Sequence, residues 1–77
     1  MTITPQERIV LQYILLGYSD KEIAHKMKIS YATLRTYIDR GTLKLSARNK
    51  IHAAFKYLLT LSPDVYKKTL KEMHEVL

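Results

Sequence analysis

Within about two helical turns the chain sets Ser30, Tyr31, Thr33, Arg35 and Thr36. These are hydroxyls and a guanidinium, groups that hydrogen-bond to phosphate oxygens and to the edges of bases. Basic side chains surround them. Residues 21–50 carry Lys21, Lys26, Lys28, Arg35, Arg40, Lys44, Arg48 and Lys50 against Glu22 and Asp39, an excess equal to the +6 formal net charge of all 77 residues. A field concentrated in this way suits a partner covered in phosphates, although an ordinary solvated face would also carry such charge.

The other reactive residue types are poorly arranged for chemistry. His25, His52 and His74 have no paired spacing and no accompanying carboxylate cluster, so neither a metal site nor a general base is expected. The absence of cysteine removes disulfides, thiolate ligation and thiol catalysis. Ser19, Ser30 and Ser62 each precede a helical pattern and read as caps, not nucleophiles. Of the six tyrosines, Tyr13 and Tyr57 fall at apolar helical positions and suit packing, whereas Tyr31 and Tyr37 remain candidate DNA contacts. A chain of this length forms one modest core, without room for a deep pocket between cofactor and substrate lobes. No enzyme and no cofactor are expected. The longest apolar run, Tyr13 to Leu16, is far below the roughly 20 residues of a membrane span, and no leader pattern opens the chain. The expected location is the cytoplasm, in association with the nucleoid.

Five helices are predicted to position these residues. Thr4-Pro5-Gln6-Glu7 combines an N-cap, a proline at the first helical position and a reciprocal glutamate, and Gly17 ends the helix so begun. Its Ile9, Val10, Tyr13, Ile14 and Leu16 are expected to face the core. Ser19 and Glu22 repeat the capping signature for a second helix of barely two turns, buried through Ile23, Ala24 and Met27. Lys28, Ile29 and Ser30 form a turn, with Ile29 as its apolar pin and Ala24 small where the next helix must come close. Ser30 caps a third helix from Tyr31 to about Lys44, buried through Leu34, Ile38 and part of Tyr37, with Thr33, Arg35, Thr36 and Asp39 outward. A fourth helix runs from near Asn49 to about Leu61, and Ser62-Pro63-Asp64 starts a fifth. A short helix, a tight turn and a basic second helix make a helix-turn-helix, whose second helix enters the major groove of duplex DNA.

Helix four is apolar on more than one side, through Ile51, Ala53, Ala54, Phe55, Tyr57, Leu58, Leu59 and Leu61. A small domain has a core on one side only, so the surplus must meet a second chain or lie under helix five. The first reading assigns Ile51, Ala54, Phe55, Leu58 and Leu59 to a homodimer interface. The second covers them with Val65, Leu70, Met73 and Leu77. The chain accordingly divides into a helix-turn-helix domain, residues 1–61, and a C-terminal helix, residues 62–77.

The segments ITPQERIVL, GYSDKEIAHKMKIS, TLRTY (Thr33 to Tyr37) and KLSARNKIHAA resemble, without a gap between them, the LuxR/GerE-type DNA-binding domain. That domain stands at the C-terminus of many bacterial response regulators and quorum-sensing receptors. The resemblance covers residues 3–54 and implies an all-α, four-helix domain whose third helix enters the major groove and whose fourth pairs two protomers. It implies structural roles for Glu7, Gly17, Glu22, Ile23, Ala24 and Ile29, a phosphate contact for Thr33 and a base contact for Arg35. Lys44 and Lys50 match basic positions that serve either as DNA-backbone contacts or as partners for the acids. Three residues depart from the pattern. Tyr37 stands where histidine is frequent. Asp39 stands where a basic or polar residue is usual, and could accept from a cytosine amino group or hold Arg35, four residues earlier. Gly41 replaces a large apolar residue, so helix three either continues at a cost of about 1 kcal/mol or bends or ends there.

The expectation is a bacterial or phage transcription regulator that binds duplex DNA as a homodimer. Lys28, Ser30, Tyr31, Thr33, Arg35, Thr36, Asp39, Arg40, Lys44, Arg48 and Lys50 form the candidate DNA surface. With no receiver or ligand-sensing domain expected before it, its activity would be set by abundance or by a partner. The rival is a protein-interaction module that docks on a regulator, a sigma factor or an RNA polymerase subunit, which Asp39 and Gly41 favour.

Overall fold

The computed structural model describes residues 2–61 together with Asp64, Lys67, Lys68 and Lys71. Its elements are α1 (Pro5–Leu15), α2 (Asp20–Met27), α3 (Tyr31–Lys44) and α4 (Lys50–Thr60), with no strand among the described residues. Among the described residues the fold is all-helical, as the capping signals and periodicity predict. The fifth helix expected after Ser62, with Val65, Leu70, Met73 and Leu77, lies outside the described residues, of which only Asp64, Lys67, Lys68 and Lys71 fall in that segment, each helical and exposed.

Each helix begins where a side chain can satisfy free backbone N–H groups. Thr4 accepts from the Glu7 N–H while the Glu7 carboxylate accepts from the Thr4 N–H, and Ser19 and Glu22 repeat the exchange. Ser30 and Asn49 cap α3 and α4. Three helices end alike, each with a residue in the left-handed region: Gly17 (φ 87°), Lys28 (φ 56°) and Ser46 (φ 52°). At each the following amide reaches back five residues: Tyr18 to Tyr13, Ile29 to Ala24 and Ala47 to Thr42. The Tyr13 and Thr42 carbonyls would otherwise lack partners, whereas Ala24 also accepts from the Lys28 N–H.

Val10, Leu11, Ile14, Ile23, Leu34, Ile38, Ala53, Ala54 and Tyr57 form the buried core, with Ile29 packed against it. The inner face of α1 is Glu7, Val10, Leu11 and Ile14. This corrects the sequence expectation at two positions, since Leu11 is buried and Ile9 is exposed. Glu7 hides the register, because a charged residue occupies one position of the apolar stripe.

Helix α3 continues through Gly41 to Lys44, so the expectation of an end there is not met. Gly41 is buried against the Leu11 side chain, and a Cβ built on it would lie 3.8 Å from the nearest Leu11 carbon. Burial against Leu11 holds the helix through a residue of low helical propensity.

Candidate nucleic-acid interface

The turn between α2 and α3 sets the aim of the candidate recognition helix. Lys28 occupies the left-handed region, at about 1 kcal/mol or more for a residue with a Cβ. The turn it makes lets the Ile29 N–H bond to the Ala24 carbonyl at 3.1 Å. Ile29 thereby packs against the core, and Ser30 follows at the mouth of α3. The Ser30 hydroxyl oxygen accepts from the Thr33 N–H at 3.0 Å and the two hydroxyls share a 2.9 Å hydrogen bond. One hydroxyl proton of this pair remains to be donated outward, the polarity that a phosphate oxygen requires.

Leu34, Ile38 and Gly41 turn inward. Tyr31, Ala32, Arg35, Thr36, Asp39, Arg40 and Leu43 are exposed on the remaining face. The Thr36 hydroxyl donates to the Ala32 carbonyl at 3.1 Å, which uses its proton and leaves its methyl and its acceptor lone pairs free to meet a ligand. The Arg35 guanidinium lies 3.7 Å from the Asp39 carboxylate, both well exposed. Of the alternatives that the sequence left open for Asp39, this is the contact to Arg35. At that separation it is an ion pair, not a hydrogen bond, and an exposed pair of this kind contributes about 0.2 to 1 kcal/mol. Phosphates and base edges can therefore compete for Arg35.

Around this face Lys28 and Arg48 are exposed, as are Lys21 and Lys26 on α2. A cleft of about 340 Å³ between α3 and the start of α4 is lined in part by Arg35, Asp39, Arg48 and Lys50. Of the expected DNA surface, the structure thus brings Lys28, Ser30, Tyr31, Arg35, Thr36, Asp39, Arg40 and Arg48 to solvent, with Thr33 half-buried at the cap.

Lys44 and Lys50 are held differently. Lys44 turns inward and its ammonium donates to the Glu7 carboxylate at 2.7 Å, with the two side chains only 16% and 2% exposed. Lys50 donates to Asp20 at 2.6 Å. Both are partners for acids, the second of the two roles open to them, and they tie α3 to α1 and α4 to α2. Burial pushes the Glu7 carboxyl up, but hydrogen bonds from Lys44 and Thr4 and the Lys44 charge outweigh it and hold the group below the ordinary carboxylate range.

Two further supports leave no mark in the sequence. The Lys56 ammonium donates to the carbonyls of Leu45 (3.2 Å) and Ser46 (3.1 Å), which fastens the C-terminal end of α3 to α4. His52 accepts the Arg48 N–H on Nδ1 at 3.1 Å, closing the loop before α4. Contacts across ten or eleven residues leave no periodic signal, and a histidine is not the usual partner in a capping exchange.

On α4, Ile51, Phe55 and Leu59 are 62%, 54% and 62% exposed. They recur every four residues and form one stripe. Ala54 and Leu58, grouped with them on spacing, are buried within the protomer, so the apolar surface open to a second chain narrows to those three. Among the described residues no group of side chains could hold a metal, and no helix is long and apolar enough to cross a membrane.

Comparison with known proteins adds to this geometry. Residues 1–56 match the GerE model, which describes bacterial regulatory proteins of the luxR family. Over 58 residues, 75% of the chain, it is 31% identical to a probable HTH-type transcriptional regulator, GfsR, of Streptomyces halstedii. The chain spans 24% of the length of that protein. No solved structure matches the chain.

Proposed function

The chain belongs to the luxR family of bacterial regulatory proteins, whose shared unit is a DNA-binding helix-turn-helix, and from this premise we propose a sequence-specific transcription regulator that binds duplex DNA as a homodimer in the cytoplasm. The observation that carries the reading is the exposed face of α3, where Tyr31, Arg35, Thr36 and Asp39 follow a Ser30 cap beside Lys28 and Arg48. In this mechanism Lys28, Arg40 and Arg48 neutralise phosphates, the hydroxyl pair of Ser30 and Thr33 fixes register on the backbone, and Arg35 and Thr36 read base edges. Lys44 and Lys50 act from behind by holding α3 and α4 in place.

The stripe of Ile51, Phe55 and Leu59 supports the dimer. It runs about 12 Å along α4 and offers a second copy the same apolar ridge, which self-complementary pairing requires. Two recognition helices related by a two-fold axis then meet half-sites about one helical turn apart.

Selection of bound sites from random duplexes tests both parts. A recovered palindrome supports them together, a single half-site supports DNA reading without the dimer, and no enrichment overturns the sequence-specific reading. Leu43, exposed at the end of the same face, favours docking on another protein, and retention of a partner without DNA enrichment would establish that rival.

A further inference from the structure

A carboxylate on the groove-facing side of a basic helix needs a reason. Asp39 is one turn beyond Arg35 and Thr36, on the exposed face between two rows of phosphates if α3 enters the groove, and its side chain is 67% exposed. Phosphates repel it, and its ion pair with Arg35, at 3.7 Å and in solvent, is too weak to offset removal of its hydration. Among the described residues its second oxygen makes no hydrogen bond to another side chain or to backbone. On entering the groove that oxygen must find a donor.

The major groove offers two kinds of donor on base edges, the N4 amino group of cytosine and the N6 amino group of adenine. Guanine presents O6 and N7 there, and thymine presents O4, all acceptors that repel a carboxylate. Adenine carries its N7 acceptor beside the amino group, whereas cytosine has only a C–H beside its own. The order at the base facing Asp39 is therefore cytosine, then adenine, then guanine and thymine. Arg35 has the complementary chemistry, with paired donors that fit O6 and N7 of guanine.

We propose that Asp39 is a specificity-determining residue that accepts from a cytosine amino group, and that Asp39 and Arg35 read neighbouring positions of one half-site as a C and a G. This rests on the reading of α3 as a recognition helix. Asp39 lowers affinity for DNA in general and raises the ratio of specific to random binding. A residue with a merely structural role has no means to move those two quantities in opposite directions.

The test is duplex selection and binding with wild type, Asp39→Asn and Asp39→Ala, each confirmed helical by circular dichroism. Asp39→Ala is expected to bind random duplex more tightly, since one negative charge is gone, and to lose preference at a single column by about five- to a hundred-fold. Asp39→Asn, which can both donate and accept, is expected to shift that column from cytosine towards adenine. Unchanged columns in both variants, with wild type still selective, would overturn the role of Asp39 alone. No selection by wild type would overturn the recognition-helix reading and this inference with it.

Discussion

Replacement of Gly41 by alanine should stabilise the protein, although it fills a buried position on the inner face of α3. The backbone there is helical, so the glycine meets no need for a positive φ. Its added Cβ would meet Leu11 carbons at 3.8, 3.9 and 4.0 Å, which is ordinary contact distance. The helix-propensity difference favours alanine by about 1 kcal/mol, chiefly because glycine leaves the unfolded chain more freedom to lose. Burial of the new methyl can add up to about 0.8 kcal/mol. For a domain of this size each 1 kcal/mol corresponds to a rise in Tm of about 4 to 8 °C. The assay is thermal and urea unfolding followed at 222 nm, with duplex affinity measured in parallel. A higher midpoint with an unchanged m-value and unchanged DNA affinity is expected, since Gly41 faces Leu11 and not the exposed side. A lower midpoint would refute both the continuous helix and the spacing from Leu11.

Lys44→Met leaves Glu7 buried without its charged partner and should cost about 3 to 5 kcal/mol in urea unfolding. In the wild type the depressed Glu7 value means that this carboxylate stabilises the fold above about pH 4.3, its unfolded range, and that the contribution is lost as pH falls through the lower folded value. An acid titration of stability in which Glu7→Gln follows the same curve would contradict that assignment. Lys28→Gly relieves the left-handed strain and should raise stability by about 1 kcal/mol while weakening DNA binding, a split visible in a melt beside a binding isotherm. Leu59→Asp, at an exposed position of α4, should shift the light-scattering mass from dimer to monomer with the helical spectrum intact; an unchanged mass would remove the stripe from the dimer interface.

The helix starts were legible because capping is local. Thr4, Ser19, Ser30 and Asn49 each bond to an amide three residues on, and such spacing survives in sequence. The three-residue turn was equally clear, but its left-handed residue was not, since Lys28 and Ser46 stand where glycine usually signals that conformation. The inner stripe of α1 was misread by one step because Glu7 belongs to it, and its burial makes sense only with Lys44, 37 residues away. The candidate DNA surface was visible as charge and hydroxyls, yet side chains of one charge divide between two jobs. Arg35, Arg40 and Arg48 are in solvent, whereas Lys44 and Lys50 hold acids. Periodicity places a residue on a face, and only the packed neighbours decide what its charge meets.

The proposed function requires that the exposed face of α3 hold duplex DNA through its cations. Equilibrium binding of a labelled duplex, measured across a series of salt concentrations for wild type and Arg35→Ala, tests this most directly. The predicted result is a linear fall of log K with log salt, at a slope of about −0.9 per phosphate neutralised, with Arg35→Ala losing about 1 to 3 kcal/mol on a selected site and less on random duplex. Absence of binding at low salt, or binding indifferent to both salt and Arg35, would contradict it.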